Sequence, residues 1–105
     1  PFDNLLKRAQ KSGHNRFLIC WNRGLGDIPL GLYALTHRIR TIVPQAQITF
    51  ATRKDLEDGF KMLQGVNVLV DSDWKRGAPF NLKNTLSKHH LSADAFDVIL
   101  EQPDP

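Results

Sequence analysis

Apolar residues along this chain follow two spacings in turn. Residues 16–21, RFLICW, are apolar almost without a break, the pattern of a strand buried on both faces of a sheet. From Ile28 the period becomes helical: Ile28, Leu32, Leu35, Ile39 and Ile42 fall on one face, and His37, Arg38 and Arg40 lie mostly off it. Pro44 stops that helix. The alternation then repeats. Residues 47–52, QITFAT, predict a second strand, and residues 54–63, KDLEDGFKML, an amphipathic helix with Leu56, Phe60 and Leu63 on one side and Gly65 as its C-terminal cap. Residues 66–71, VNVLVD, predict a third strand, and 72–80, SDWKRGAPF, a loop. Residues 81–91, NLKNTLSKHHL, predict a weaker helix, and 96–102, FDVILEQ, a fourth strand. A short helix over residues 3–12, capped by Asp3 or Asn4 and ended by Gly13, precedes them all.

Strands alternating with helices imply an α/β fold with a parallel sheet and right-handed crossovers. The expected architecture is a Rossmann-like sheet of about four strands in the order 3-2-1-4, with helices on both faces. The first strand is then central.

The chain has 105 residues, enough for one domain over residues 1–105, with 1–15 as a helical lead-in. A hydrophobic content of 41% with 24% charged residues places it among globular rather than disordered chains. The net charge of +3 comes without the dense basic stripe of a nucleic-acid binder, so no nucleic acid is expected as a partner. The one cysteine, Cys20, excludes an internal disulfide framework and a cysteine metal cluster, and its place inside the first strand points to packing. No apolar run approaches membrane-spanning length, and no signal peptide is visible. Pro1 at one end and Pro103-Asp104-Pro105 at the other read as cuts in a longer chain.

The candidate chemistry lies between the first strand and the long helix, in NRGLGDIPLG, residues 22–31. In such sheets ligands bind outside the carboxyl ends of the strands, and Gly24 and Gly26 leave room for a close approach. A dinucleotide fingerprint needs G-x-G-x-x-G; here Pro29 takes the third glycine's place, and Arg53 and Lys54 stand where an acidic residue should close the second strand. A P-loop needs a lysine after its second glycine, and Leu32 occupies that place after Gly31. The third reading starts from Asp27, at the N-cap of the long helix. It can cap the helix by accepting backbone N–H bonds, or it can face the ligand crevice as a general base kept charged by the helix N-terminus. The two roles are compatible.

These residues resemble a known family. FLICWNRGLGDIPLGLYALTHRIRTIVPQAQITFAT, residues 17–52, is similar to the amino-terminal segment of heptosyltransferase-like glycosyltransferases with a GT-B fold (glycosyltransferase family 9 type). The shared features are a strand, a basic residue (Arg23), a G-x-G-D turn (Gly24 to Asp27), a long helix, a P-x-A-x-I turn (Pro44 to Ile48) and a second strand. FDVILEQ resembles the later "YD-hydrophobic-acidic" strand, with Phe96 for tyrosine. The resemblance implies an enzyme that moves a sugar, such as a heptose, from a nucleotide-sugar to a glycan or lipopolysaccharide-core acceptor. It implies half of a GT-B architecture: an acceptor-holding domain, with the donor held by a carboxyl-terminal domain that this chain lacks, so that the piece alone is inactive. It also implies Asp27 as the base for the acceptor hydroxyl, no cofactor, and a cytoplasmic place at the inner face of a membrane. The chain departs from the pattern in carrying Trp21-Asn22 before Arg23, where a shorter aliphatic end is more usual.

Arg23, Arg53, Lys54, Lys75 and Arg76 each follow an expected strand end, so a parallel sheet places them on one rim, suited to a phosphorylated or carboxylated acceptor. Solvated surface charge is the alternative. Trp74 can stack on a ligand or anchor its loop; His89 and His90, about 100° apart on a helix, cannot share one metal and read as surface residues. Two rival functions remain at this point: a nucleotide- or phosphate-binding regulatory module without catalysis, and a flavodoxin-like scaffold without chemistry.

Overall fold

The computed structural model describes residues 1–22 and 31–101. Helix α1 (Phe2–Ser12) leads into strand β1 (Arg16–Trp21); helix α2 (Tyr33–Ile42) and strand β2 (Gln47–Arg53) follow. A 3-10 helix (Lys54–Met62) precedes strand β3 (Val66–Asp71), and helix α3 (Leu82–Lys88) with a short 3-10 turn (Ala93–Ala95) precedes strand β4 (Val98–Leu100). The strands form one sheet, order β3-β2-β1-β4, and every pairing is parallel. The fold is therefore the Rossmann-like α/β sheet expected from the alternating periods.

The two sheet faces bury different sets. On one, Phe17, Ile19 and Trp21 of β1 and Ile48 and Phe50 of β2 pack against Leu6 and Ala9 of α1, Leu32, Ile39 and Val43 on the α2 side, and Leu56 and Phe60 of the 3-10 helix. On the other, Leu18, Cys20 and Ala51 pack against Leu86 of α3, with Phe80 and Phe96 half-buried beside them. Alternate residues of β1 thus serve opposite cores, which explains its unbroken apolar run.

Several boundaries differ from the sequence expectation, each for a local reason. No side chain caps α1, whose N-cap is Pro1; Asp3 instead pairs with Arg38 of α2. The segment after β2 buries Leu56 and Phe60 as expected but winds as a 3-10 helix, in which residues three apart eclipse. Its ion pairs have that spacing, Lys54 with Glu57 and Asp58 with Lys61, and Gly59 within it weakens the α alternative. Its C-cap is the extended Leu63; Gly65, at φ 70°, serves the turn beyond, where Arg40 Nη2 donates to the Gln64 and Gly65 carbonyls.

Helix α3 begins at its cap Asn81, whose Oδ1 accepts from the Asn84 amide, and stops at Lys88 rather than Leu91. His90 adopts φ 59°, so the Leu91 amide reaches back to the Leu86 carbonyl and the His90 amide to Ser87, a closing pattern usually built on glycine. Gly13 closes α1 in the same way. The fourth strand is shorter than 96–102: Asp97 turns its carboxylate toward the start of β1, where it accepts from the Asn15 and Arg16 amides and from the Arg16 guanidinium.

Candidate functional site

In an order of 3-2-1-4 the chain leaves β1 on one side and returns on the other, so the crevice lies between the carboxyl ends of β1 and β4. Four of the sequence-derived site residues, Arg23, Gly24, Gly26 and the candidate base Asp27, lie outside the described residues. The others can be placed.

Lys54, Lys75 and Arg76 do come together. With Asp55, Ser72 and Trp74 they line one open cleft of about 380 Å³ at the carboxyl edge, built from the segments that follow β2 and β3. All three cations are exposed, open to a charged ligand arriving from solvent.

Arg53 is not a rim residue. It ends β2 in register with Asp71 of β3 and is only 3% exposed. Ala51 belongs to the core on the α3 side, so strand alternation points Arg53 to that side as well. Its Nε lies 3.3 Å from Oδ1 of Asp55, a largely exposed carboxylate, but without hydrogen-bond alignment. Neither Nε nor Nη1 has a hydrogen-bond partner among the described residues. A buried guanidinium held so loosely is costly to the fold, and an anionic group delivered to it offsets that cost.

The loop after β3 is shaped by residues that sequence reasoning did not single out. Asp71 is buried, and its carboxylate accepts from the Thr85 hydroxyl at 2.6 Å, Lys88 Nζ at 2.7 Å and the Asp73 amide at 3.0 Å. Burial works against its ionisation, but the bonds from Lys88, Thr85 and Asp73 outweigh it and hold the carboxyl below its ordinary value. The signal was an acid closing a mostly apolar strand. Trp74 is the anchor of its loop: it is buried, its indole N–H donates to the Ala78 carbonyl at 3.1 Å, and its ring packs 4.6 Å from that of Phe80. His89 turns inward to the Val70 carbonyl at 2.9 Å, whereas His90 is exposed.

A second crevice of about 360 Å³ shares Trp74 with the first and opens where β1 and β4 end. Cys20, Asn22, Ala78, Pro79, Phe80 and Glu101 complete its lining. Cys20 is no nucleophile there: burial, with a smaller push from the Glu101 charge, raises its thiol to about 12, so it stays protonated at neutral pH. Across the strand ends the Thr52 hydroxyl donates to the Trp21 carbonyl at 2.9 Å, fixing the last residue of β1 against β2.

Among the described residues no His, Cys, Asp and Glu cluster could hold a metal ion, and no helix is long and apolar enough to cross a membrane. Comparison of the chain with protein-family models, with curated proteins and with solved structures finds no match in any of the three.

Proposed function

We propose that this chain is the acceptor-holding domain of a glycosyltransferase that moves a sugar, such as a heptose, from a nucleotide-sugar to a glycan acceptor in the cytoplasm or at a membrane's inner face. The observation that carries this reading is the convergence of Lys54, Lys75 and Arg76 on one cleft at the carboxyl edge, with the underused guanidinium of Arg53 in the strand end beside it. The fold by itself supports many functions. The reading rests on that cleft together with the resemblance of residues 17–52.

In this reaction the acceptor hydroxyl attacks the anomeric carbon of the donor sugar. The bond from that carbon to the nucleotide phosphate breaks, the nucleotide leaves, and the hydroxyl proton passes to a base. Asp27 is the candidate base on the resemblance alone. Attack requires donor and acceptor aligned in one closed cleft, so a donor domain must supply the opposite wall. The cationic cleft would equally serve a phosphate-binding module without catalysis, which is the second reading.

The deciding experiment compares wild type with Asp27→Asn in a chain that carries the donor domain. If Asp27 also caps a helix, as its sequence context suggests, asparagine is a comparable N-cap and the thermal midpoint should hardly move. It cannot take up a proton, so turnover should fall about 10²–10⁴-fold. Normal turnover in Asp27→Asn would remove the aspartate from the chemistry, and an absence of sugar transfer in the wild type would favour the phosphate-binding module.

A further inference from the structure

The crevice between β1 and β4 differs in chemistry from the cationic cleft beside it. Its polar side chains are Asn22 and Glu101, and no Lys, Arg or His is among its described lining residues. The Oδ1 of Asn22 is buried without a hydrogen-bond partner among the described residues. Glu101, exposed just beyond the end of β4, lines the same hollow. Pro79, Phe80 and Trp74 supply an apolar wall, with the Trp74 ring held by Phe80 and the Ala78 carbonyl.

We propose that this crevice is a binding site for an uncharged, hydroxyl-bearing ring, gripped by Asn22 and Glu101 and flanked by the apolar wall of Pro79 and Phe80. The site deepens the acceptor-holding role and rests on it for the identity of the ring as a sugar. An ionised carboxylate only accepts hydrogen bonds and repels anions, so it selects a ligand that brings donors. A hydroxyl both donates and accepts, and therefore satisfies the Asn22 side chain in either orientation of its amide, whereas a phosphate oxygen can only accept. The ring's C–H face needs a dry apolar surface, which the wall provides. At about 360 Å³ the crevice falls in the size range of small-molecule sites. Because Trp74 borders both hollows, a ring seated here lies next to Lys54, Lys75 and Arg76. The uncharged part of an acceptor is thereby read apart from its anionic part.

The test is a titration of the full chain with methyl α-D-mannopyranoside and with myo-inositol, followed by backbone and side-chain amide shifts, with inorganic phosphate as the contrasting probe. The polyols should shift the Asn22 side-chain amide and the amides of Ala78, Phe80 and Glu101, saturably. Phosphate should move Lys54, Lys75 and Arg76 instead. Asn22→Ala should weaken polyol binding about tenfold, the loss expected for one buried hydrogen bond. Glu101→Ala, at an exposed position that the fold does not need, should weaken it too and keeps the test decisive should Asn22→Ala misfold. Absence of polyol shifts at these residues would overturn the proposal, since a bound water alone would then satisfy Asn22. So would equal shifts from phosphate, or undiminished binding in Glu101→Ala and Asn22→Ala. No turnover is measured, so polyol binding can succeed where sugar transfer fails, and the two readings fall separately.

Discussion

The Oγ1 of Thr85 on α3 donates a 2.6 Å hydrogen bond to the Oδ2 of Asp71 at the end of β3, and both residues are buried. This bond, with the one from Lys88, fixes the height of α3 above the carboxyl edge and so the loop that carries Trp74, Lys75 and Arg76. Asp71→Ala would leave the Thr85 hydroxyl, which is 0% exposed, without its acceptor. It should cost about 1–3 kcal/mol in stability, the range for a stranded buried polar group. Thr85→Val keeps the shape and leaves Asp71 its bonds from Lys88 and the Asp73 amide, so its cost should be smaller. Urea denaturation of the two variants would check the order; equal costs would count against this account.

Asp97 gives the chain an acid limb. Hydrogen bonds from the Arg16 guanidinium and amide hold its carboxyl far below the usual carboxylate range. The folded state therefore binds that proton less readily than the unfolded one. The stabilisation is complete above the ordinary aspartate value and is lost as pH falls through it toward the folded value. Asp97→Asn should lower stability at neutral pH and flatten its decline in acid. Urea midpoints between pH 7 and about pH 2 would measure this, and parallel curves for the two proteins would contradict it.

A substitution at Arg53 can separate ligand binding from folding. Replacing a poorly compensated buried charge with an apolar side chain of similar length is often neutral or stabilising, by up to about 1–4 kcal/mol. Arg53→Met should keep or raise the thermal midpoint. If the guanidinium receives an anion, the same variant should lose most of its phosphate response in an amide-shift titration. A large fall in the thermal midpoint would show instead that Arg53 is a structural cation.

Cys20 should resist alkylation in the native protein and react only as it unfolds, because its thiol is buried and raised to about 12. The sign follows from the same shift: the unfolded thiol ionises first, so stability is intact below the ordinary thiol value and declines as pH climbs from there toward about 12. In Cys20→Ala the alkaline slope of the denaturation midpoint should be shallower. Rapid labelling under native conditions would refute the burial.

Much of this fold was legible because burial on two faces leaves a continuous apolar run, and burial on one helical face leaves a period. Residues 16–21, 47–52 and 66–71 announce their strands in that way, and the order follows from chain direction and crossover handedness. What the sequence hid was decided by side chains far apart along the chain. The pairing of Asp3 with Arg38 explains why no cap forms at Asp3. The grip of Asp97 on Arg16 explains why the fourth strand begins late. Proximity after a strand end was enough to unite Lys54, Lys75 and Arg76, but it could not separate them from Arg53, whose place within β2 sends it inward. Asn22 stood out only as a departure from the family pattern and Glu101 only as the acid of FDVILEQ; nothing joined them, because the crevice they line exists only once β4 lies beside β1.

The seam between β1 and β4 also has a consequence in time. Asp97 lies 81 residues from Arg16, whereas β1 and β2, and β2 and β3, are joined by much shorter segments. Closing the longer loop costs more chain entropy and slows the contact that depends on it. The β3-β2-β1 part of the sheet should therefore assemble first and β4 should dock last, so that the crevice at the strand ends is the final part of the molecule to acquire its walls. Pulsed hydrogen exchange during refolding should show the amides of Ile99 and Leu100 protected after those of Phe50 and Ala51. The simultaneous protection of all four would mean that the sheet forms in one step.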